Sequence, residues 1–103
     1  MEYVRVTIRI GSDSGGLELK VPSFARNLSE RYGGATILKG TGYWQDEQNR
    51  TDTEPSYTVV VVVPRDAVED IKESVKRTFR GLQDCDSVMM EVQPVRVNFI
   101  QTT

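Results

Sequence analysis

The sequence predicts an α+β fold, and three stretches carry that prediction. Residues Tyr3 to Ile10 place Val4, Val6, Ile8 and Ile10 in alternation with Arg5, Thr7 and Arg9, the period-two pattern of a strand with one face on a core. Residues Tyr57 to Val63 contain five consecutive valines, an uninterrupted β-branched run that suits a central strand covered on both faces. Directly after it, Val68, Ile71, Val75, Phe79 and Leu82 recur at helical spacing. With the weaker elements between them, the order is strand, helix, strand, strand, helix, strand. This is the ferredoxin-like βαββαβ arrangement, with a four-stranded antiparallel sheet, both helices on one face and room for extra short strands. Right-handed crossovers put both helices on the same face.

Taken in order, the first strand ends at Gly11-Ser-Asp-Ser-Gly-Gly16, which is turn chemistry. Leu17-Glu-Leu-Lys-Val21 alternates again and predicts a short extra strand before Pro22. Ser23 then caps a short helix with Phe24 or Ala25, Leu28 and Tyr32 on its apolar side and Gly33-Gly34 as its stop. Ala35 to Leu38 begins the next strand, which extends toward Tyr43 and Trp44 although Gly40 and Gly42 weaken or bulge it. From Gln45 to Pro55 the chain is polar, and the expectation is a mobile loop. After the valine strand, Asp66 with Glu69 three residues later forms an Asp version of a capping box, and Gly81 is the C-terminal stop. Leu82 to Ser87 is a connection. Val88, Met90 and Val92 alternate with Met89, Glu91 and Gln93 until Pro94, after which Val95, Val97 and Phe99 resume out of phase, predicting a bent or split last strand.

A chain of 103 residues without a linker or repeat reads as a single domain over 1–103. It buries only about two thirds of its unfolded surface, so oligomerisation would stabilise it. Two-sided valines in mid-sheet leave an apolar patch on the bare face, and packing against sister subunits removes it. The net charge of −2, with both signs interspersed, disfavours nucleic acid. No run approaches the roughly 18 apolar residues of a membrane span. A lone cysteine and the absence of a signal-like start point to the cytoplasm. Histidine is absent, which removes the commonest general base, every Ser-His or Cys-His pair and the usual transition-metal ligand.

Several short motifs are similar to those of the trimeric PII signal-transduction proteins and their CutA-type structural relatives. Lys39-Gly40-Thr41-Gly42 resembles the Lys-Gly-Phe-Gly that precedes the long T-loop of PII proteins. Val60-Val-Val-Val-Pro64 with Arg65-Asp66 resembles the segment that follows that loop, and Val92-Gln-Pro-Val-Arg96-Val97 resembles the C-terminal Val-Glu-x-x-x-Arg-Ile-Arg. Tyr43-Trp44 and the acidic loop with Glu54 resemble the CutA hairpin. The chain departs from PII after its second helix, where Phe79-Arg-Gly-Leu-Gln-Asp-Cys-Asp86 lacks the lysine of the PII phosphate loop. Asn98 replaces the second arginine of the C-terminal motif, and the T-loop tyrosine has no counterpart. The resemblance implies a divergent PII-like protein of a bacterial or phage family.

It also implies a function: a non-enzymatic homotrimer that binds a small anionic ligand, with an adenine or cyclic nucleotide as the candidate, at Lys39, Gly40, Thr41, Gly42 and Arg96. Tyr43, Trp44, Asp46, Glu47 and Arg50 would then form a partner-binding loop that signals the liganded state. The alternatives are a small ferredoxin-like enzyme or isomerase working through Tyr, Arg or Asp, and a ligand-free interaction or sequestering module encoded by a phage. For Lys39 the competing reading is a solvated side chain beside a glycine bulge. For Arg5, Arg9 and Arg96 it is pairing with glutamates across a trimer interface. Asp46, Glu47, Asp52 and Glu54 offer oxygen ligands for a hard cation but match no EF-hand spacing, so a solvated loop is favoured. Cys85 between Asp84 and Asp86 is a poor nucleophile, because neighbouring negative charge disfavours the thiolate. Met89 and Met90 read as core filling.

Overall fold

Strand β1 (Tyr3–Gly11) and strand β3 (Thr51–Pro64) lie side by side at the centre of the sheet. Their antiparallel register sets Val4 against Val63, Val6 against Val61 and Ile8 against Val59. These six side chains are between 0% and 2% exposed, so three of the five valines face one core and the other two, Val60 and Val62, face the opposite side. The computed structural model describes residues 2–12, 16–82 and 88–103. Around the central pair are α1 (Leu17–Tyr32), β2 (Thr36–Gln45), a 3-10 turn (Arg65–Ala67), α2 (Val68–Phe79) and β4 (Met89–Val95). The sheet order is β2-β3-β1-β4, and all pairings are antiparallel. This is the expected ferredoxin-like α+β arrangement.

Both helices cover the face that carries Val4, Val6 and Ile8. Leu17, Val21, Phe24 and Leu28 of α1 and Ile71 and Phe79 of α2 are buried there, and the rings of Phe24 and Phe79 meet edge-on at 5.3 Å between centroids. Polar contacts tie the helices together at their exposed sides. Lys20 Nζ donates to the carbonyl of Thr78 at 3.1 Å in the last turn of α2, where a cation favours the helix dipole, and Arg31 pairs with Asp70 at 3.7 Å.

Several expectations need correction. The predicted short strand at Leu17–Val21 is the first turn and a half of α1, which runs through Pro22. Leu17, Val21, Phe24 and Leu28 recur at spacings of four, three and four, and burying that stripe outweighs the backbone hydrogen bond that Pro22 cannot donate. Leu19, in phase with the strand reading, is 80% exposed. The predicted mobile loop Gln45–Pro55 is mostly strand: β2 and β3 pair continuously from Thr36↔Val60 to Gln45↔Thr51. Gly40 and Gly42 sit in that ladder opposite Ser56 and Glu54 without a bulge.

The capping box is also absent. A 3-10 turn intervenes after Pro64, α2 begins at Val68, and Ala67 at its N-cap offers no side-chain acceptor. Glu69 and Asp70 still place carboxylates in the first turn. Finally, Pro94 lies inside β4, opposite Val4, and the residues after Val95 form no further strand. β4 is an edge strand, the position where a sheet tolerates proline. Of the two methionines, Met90 packs against the core, whereas Met89 is 59% exposed on the other face. Gly81 has φ of 76° just beyond α2, as a stop residue requires. The readings for Cys85 and for most of the second connection lie outside the described residues.

The helical assignment of Leu17–Val21 separates two neighbouring leucines. Leu17→Ala should cost about 2–5 kcal/mol in denaturant unfolding, because it empties a core position. Leu19→Ala should stay within about 0.5 kcal/mol of the parent. Equal losses would restore a strand with both leucines on one face.

Candidate functional site

The β2–β3 hairpin leaves the body of the sheet as a two-stranded ribbon. β1 accompanies β3 only as far as Gly11↔Ser56, after which the Ser12 N–H reaches the Pro55 carbonyl at 3.3 Å. In a strand the N–H and C=O of one residue point the same way, so Pro55 directs its carbonyl, and the N–H it lacks, toward β1. The proline therefore costs the β2–β3 ladder nothing. It also fixes the alternation, since Thr41↔Pro55 must be a non-hydrogen-bonded pair. Lys39, Thr41 and Tyr43 thus turn their backbone groups to the open edge of β2, whereas Gly40 and Gly42 bond to β3. This phase agrees with the Asp46 N–H donating to the Arg50 carbonyl at 2.9 Å.

At the base of the ribbon Lys39 lies on the helix face. Its Nζ is 3.4 Å from Glu18 Oε1 of α1 and 5.7 Å from the centre of the Tyr57 ring. Coulombic attraction to Tyr57, then the hydrogen bond and charge of Glu18, raise the Lys39 pKa above the usual lysine range. Gly40 and Gly42 lie on the opposite, uncovered face. A Cβ at Gly40 would meet nothing within 4 Å, and the Glu54 carboxylate occupies the place where a Cβ on Gly11 would stand. A row of small residues, Gly40, Ser56 and Gly11, therefore crosses three strands at this point.

Arg96 is elsewhere. It follows Val95, which pairs with Tyr3, whereas Lys39 pairs with Tyr57 opposite Ile10. Seven residues of β1 separate those two rungs, about 23 Å at the rise of a strand. A single chain does not bring Lys39 and Arg96 together. Arg5 and Arg9 do share the uncovered face, and both are engaged within the chain. Arg5 donates to Gln93 Oε1 and Arg9 pairs with Glu91 at 3.1 Å, both neighbours on β4.

The ribbon ends in a turn built by one aspartate. Asp46 Oδ1 accepts the N–H groups of Gln48 and Arg50 at 2.9 Å each, its Oδ2 meets Arg50 Nε at 2.8 Å, and Arg50 Nη2 donates to Gln48 Oε1 at 2.6 Å. Asn49 adopts φ of 61°, a conformation that asparagine tolerates. Arg50 and Asp46 of the expected partner-binding loop are thus occupied in closing the turn. Tyr43, 73% exposed, and Trp44, 44% exposed, project from opposite faces of the ribbon just before it. Among the described residues no three metal-binding side chains converge. The Lys39–Glu18 contact is not legible in the sequence, because the alternation at Leu17–Val21 puts Glu18 on a strand instead of a helix over the sheet.

Comparison with known proteins gives one family and one fold. A family model described as "Protein of unknown function (DUF3574)" matches residues 26–99. No curated protein matches the sequence. The divalent ion tolerance protein CutA1 from Ehrlichia chaffeensis superposes with a TM-score of 0.69 at 12% identity, over 95% of this chain and 87% of that one. The GlnK–ATP complex of B. subtilis gives 0.64 at 14% identity over 88% and 81%. Arabidopsis thaliana PII bound to citrate gives 0.61 at 16% identity over 91% and 78%. The PII and CutA resemblance read from the motifs therefore holds for the fold. No helix among the described residues is long and apolar enough to cross a membrane.

The turn gives a pH test. The Arg50 N–H, with further help from the Arg50 guanidinium and the Gln48 N–H, holds the Asp46 carboxyl below its ordinary value. A depressed folded pKa means that the stabilisation is complete above the free aspartate value of about 3.9 and is lost as pH falls through the folded pKa. The amide resonances of Gln48 and Arg50 should therefore titrate together with a midpoint below about 3.9, and Asp46→Asn should abolish that titration. A midpoint at the free value would mean that the turn is open.

Proposed function

The chain belongs to the DUF3574 family, and from that premise we propose that it is a non-enzymatic regulatory protein, assembled as a homotrimer, that takes up a small anionic ligand between its copies. The observation that carries this reading is the uncovered face of the sheet. Val60, Val62, Leu38, Trp44 and Met89 lie on it, with Val62 37% and Leu38 59% exposed, and among the described residues no second layer covers them. Arg9 is charge-paired with Glu91, and Arg5, hydrogen-bonded to the uncharged Gln93, keeps its positive charge, so a sister copy would meet a partly apolar surface that carries an arginine able to take a carboxylate. The open edges of β2 and β4 offer further backbone groups for pairing between copies.

The anion site rests on the same assembly. Lys39 and Arg96 lie at opposite ends of the subunit and can converge only if they come from neighbouring copies. The edge amides of Lys39, Thr41 and Tyr43 would supply further donors to an anion at that junction. The similar folds include proteins crystallised with ATP and with citrate, both polyanions, which makes an adenine or cyclic nucleotide the first ligand to try. Signalling by ordering of the 45–55 segment is not part of this proposal, because that segment is already a ribbon. The ribbon instead serves as a rigid arm that presents Tyr43 and Trp44 to a partner. The cytoplasm is the compartment that supplies such ligands. An interaction module without a ligand is the second reading, favoured by the Lys39–Glu18 pair, which already occupies the lysine.

Sedimentation equilibrium at micromolar concentration should give a trimer, and Val62→Lys should dissociate it. A folded monomer of the unaltered chain would overturn the assembly. Calorimetry with ATP and cyclic nucleotides should show binding that Arg96→Ala and Lys39→Ala each weaken about tenfold to a hundredfold, as for loss of a charge-assisted contact. Binding indifferent to both substitutions would disprove the site, and a trimer that binds none of these nucleotides would favour the interaction module.

A further inference from the structure

A groove of about 750 Å³ opens on the helix side of the molecule, between α2 and β4. It follows from the sheet order. β4 is an edge strand whose Met90 and Val92 pair with Ile8 and Val6 and so point to the helix side, but α1 lies over β2 and β3. Val92 is therefore 42% exposed on the face where its partner Val6 is completely buried. Val75 and Phe79 form the α2 wall, and Val88, Met90 and Val92 form the β4 wall.

Among the described residues that line it, Lys72, Lys76 and Arg80 stand along the α2 side, with Glu69 as the one carboxylate. Lys76 meets Glu73 at 3.5 Å across an exposed pair, whereas Lys72 and Arg80 have no carboxylate partner among the described residues. An apolar trough with cations along one rim is complementary to a molecule with a hydrocarbon body and an anionic head. Its size lies within the roughly 300–1,000 Å³ typical of small-molecule sites. The anion reading of the β2 base does not extend to this place, which is at the opposite edge of the sheet and lined by different elements.

We propose that the α2–β4 groove binds a free amphipathic carboxylate, an aliphatic chain of medium length lying along Val75, Phe79, Met90 and Val92 with its carboxylate at Lys72 and Lys76. The probe is decanoate, titrated into the intact protein with detection by heat and by amide shifts. Decanoate should bind and shift the amides of α2 and β4. Dodecanoate should bind more tightly and octanoate less, with about a fourfold step expected for each fully buried methylene as an upper bound. Decylamine should bind at least tenfold more weakly than decanoate. Lys72→Glu with Lys76→Glu, both on the exposed side of α2, should weaken decanoate at least tenfold and leave the circular dichroism unchanged. Leu19→Ala, on the exposed side of α1, should leave decanoate affinity in place. Anionic phosphatidylglycerol vesicles distinguish a membrane lipid from a free acid, and the protein should not float with them. No binding of decanoate, equal binding of decanoate and decylamine, shifts confined to the β2–β3 ribbon, or flotation with vesicles would each overturn the assignment.

Discussion

Everything in this chain is placed relative to one block of side chains, the interleaved Val4, Val6 and Ile8 of β1 with Val59, Val61 and Val63 of β3. The six are almost wholly removed from water, and the pairing that aligns them joins residues about 50 to 60 positions apart. A slip of one residue in this register would turn every buried valine of β3 to the other face. The helices dock on this block, and the edge strands β2 and β4 are added to its two sides. Because consecutive valines point alternately up and down, a strand that secures the core in this way also places Val60 and Val62 on the opposite face.

That by-product shapes what the protein can do. A chain this short has two helices to spend and both go to one side, so the other side holds apolar residues, an arginine ladder satisfied from within the chain, and a row of small residues at the root of the ribbon. The same shortage of covering elements leaves β4 without a helix over its core-facing side chains. Both candidate sites arise from places where the sheet is larger than the layer that covers it. One is suited to other copies of the chain and the other to a small apolar body with an anionic head.

Much of the fold was legible in the sequence because its strongest patterns come from burial. Alternation found β1, the valine run found the centre of the sheet, and helical spacing found α2. The failures occurred where two patterns overlap or where polar residues hide a ladder. Leu17, Leu19 and Val21 satisfy a strand period, and Leu17, Val21, Phe24 and Leu28 satisfy a helical one; only the longer stripe is real. Thr51 to Ser56 contain hardly an apolar side chain, yet they extend β3, because a ribbon edge needs backbone partners and not a core. Asp66 and Glu69 matched a cap that the 3-10 turn after Pro64 displaces. For the site, Lys39 and Arg96 were legible as residues shared with a motif, but their separation was not, since distance across a sheet depends on strand order.

Strand β3, continuous from Thr51 to Pro64, is the single element that supplies the core, the uncovered face and the arm. Amide hydrogen exchange along residues 51–63 tests it most directly. A continuous strand predicts protection that persists beyond the end of β1 at Ser56, strongest at Glu54 and Asp52, whose amides bond to Gly42 and Trp44 in the alternation set by Pro55. Protection that stops at Tyr57, with rapid exchange at every amide from Thr51 to Ser56, would contradict it and return this segment to a mobile loop.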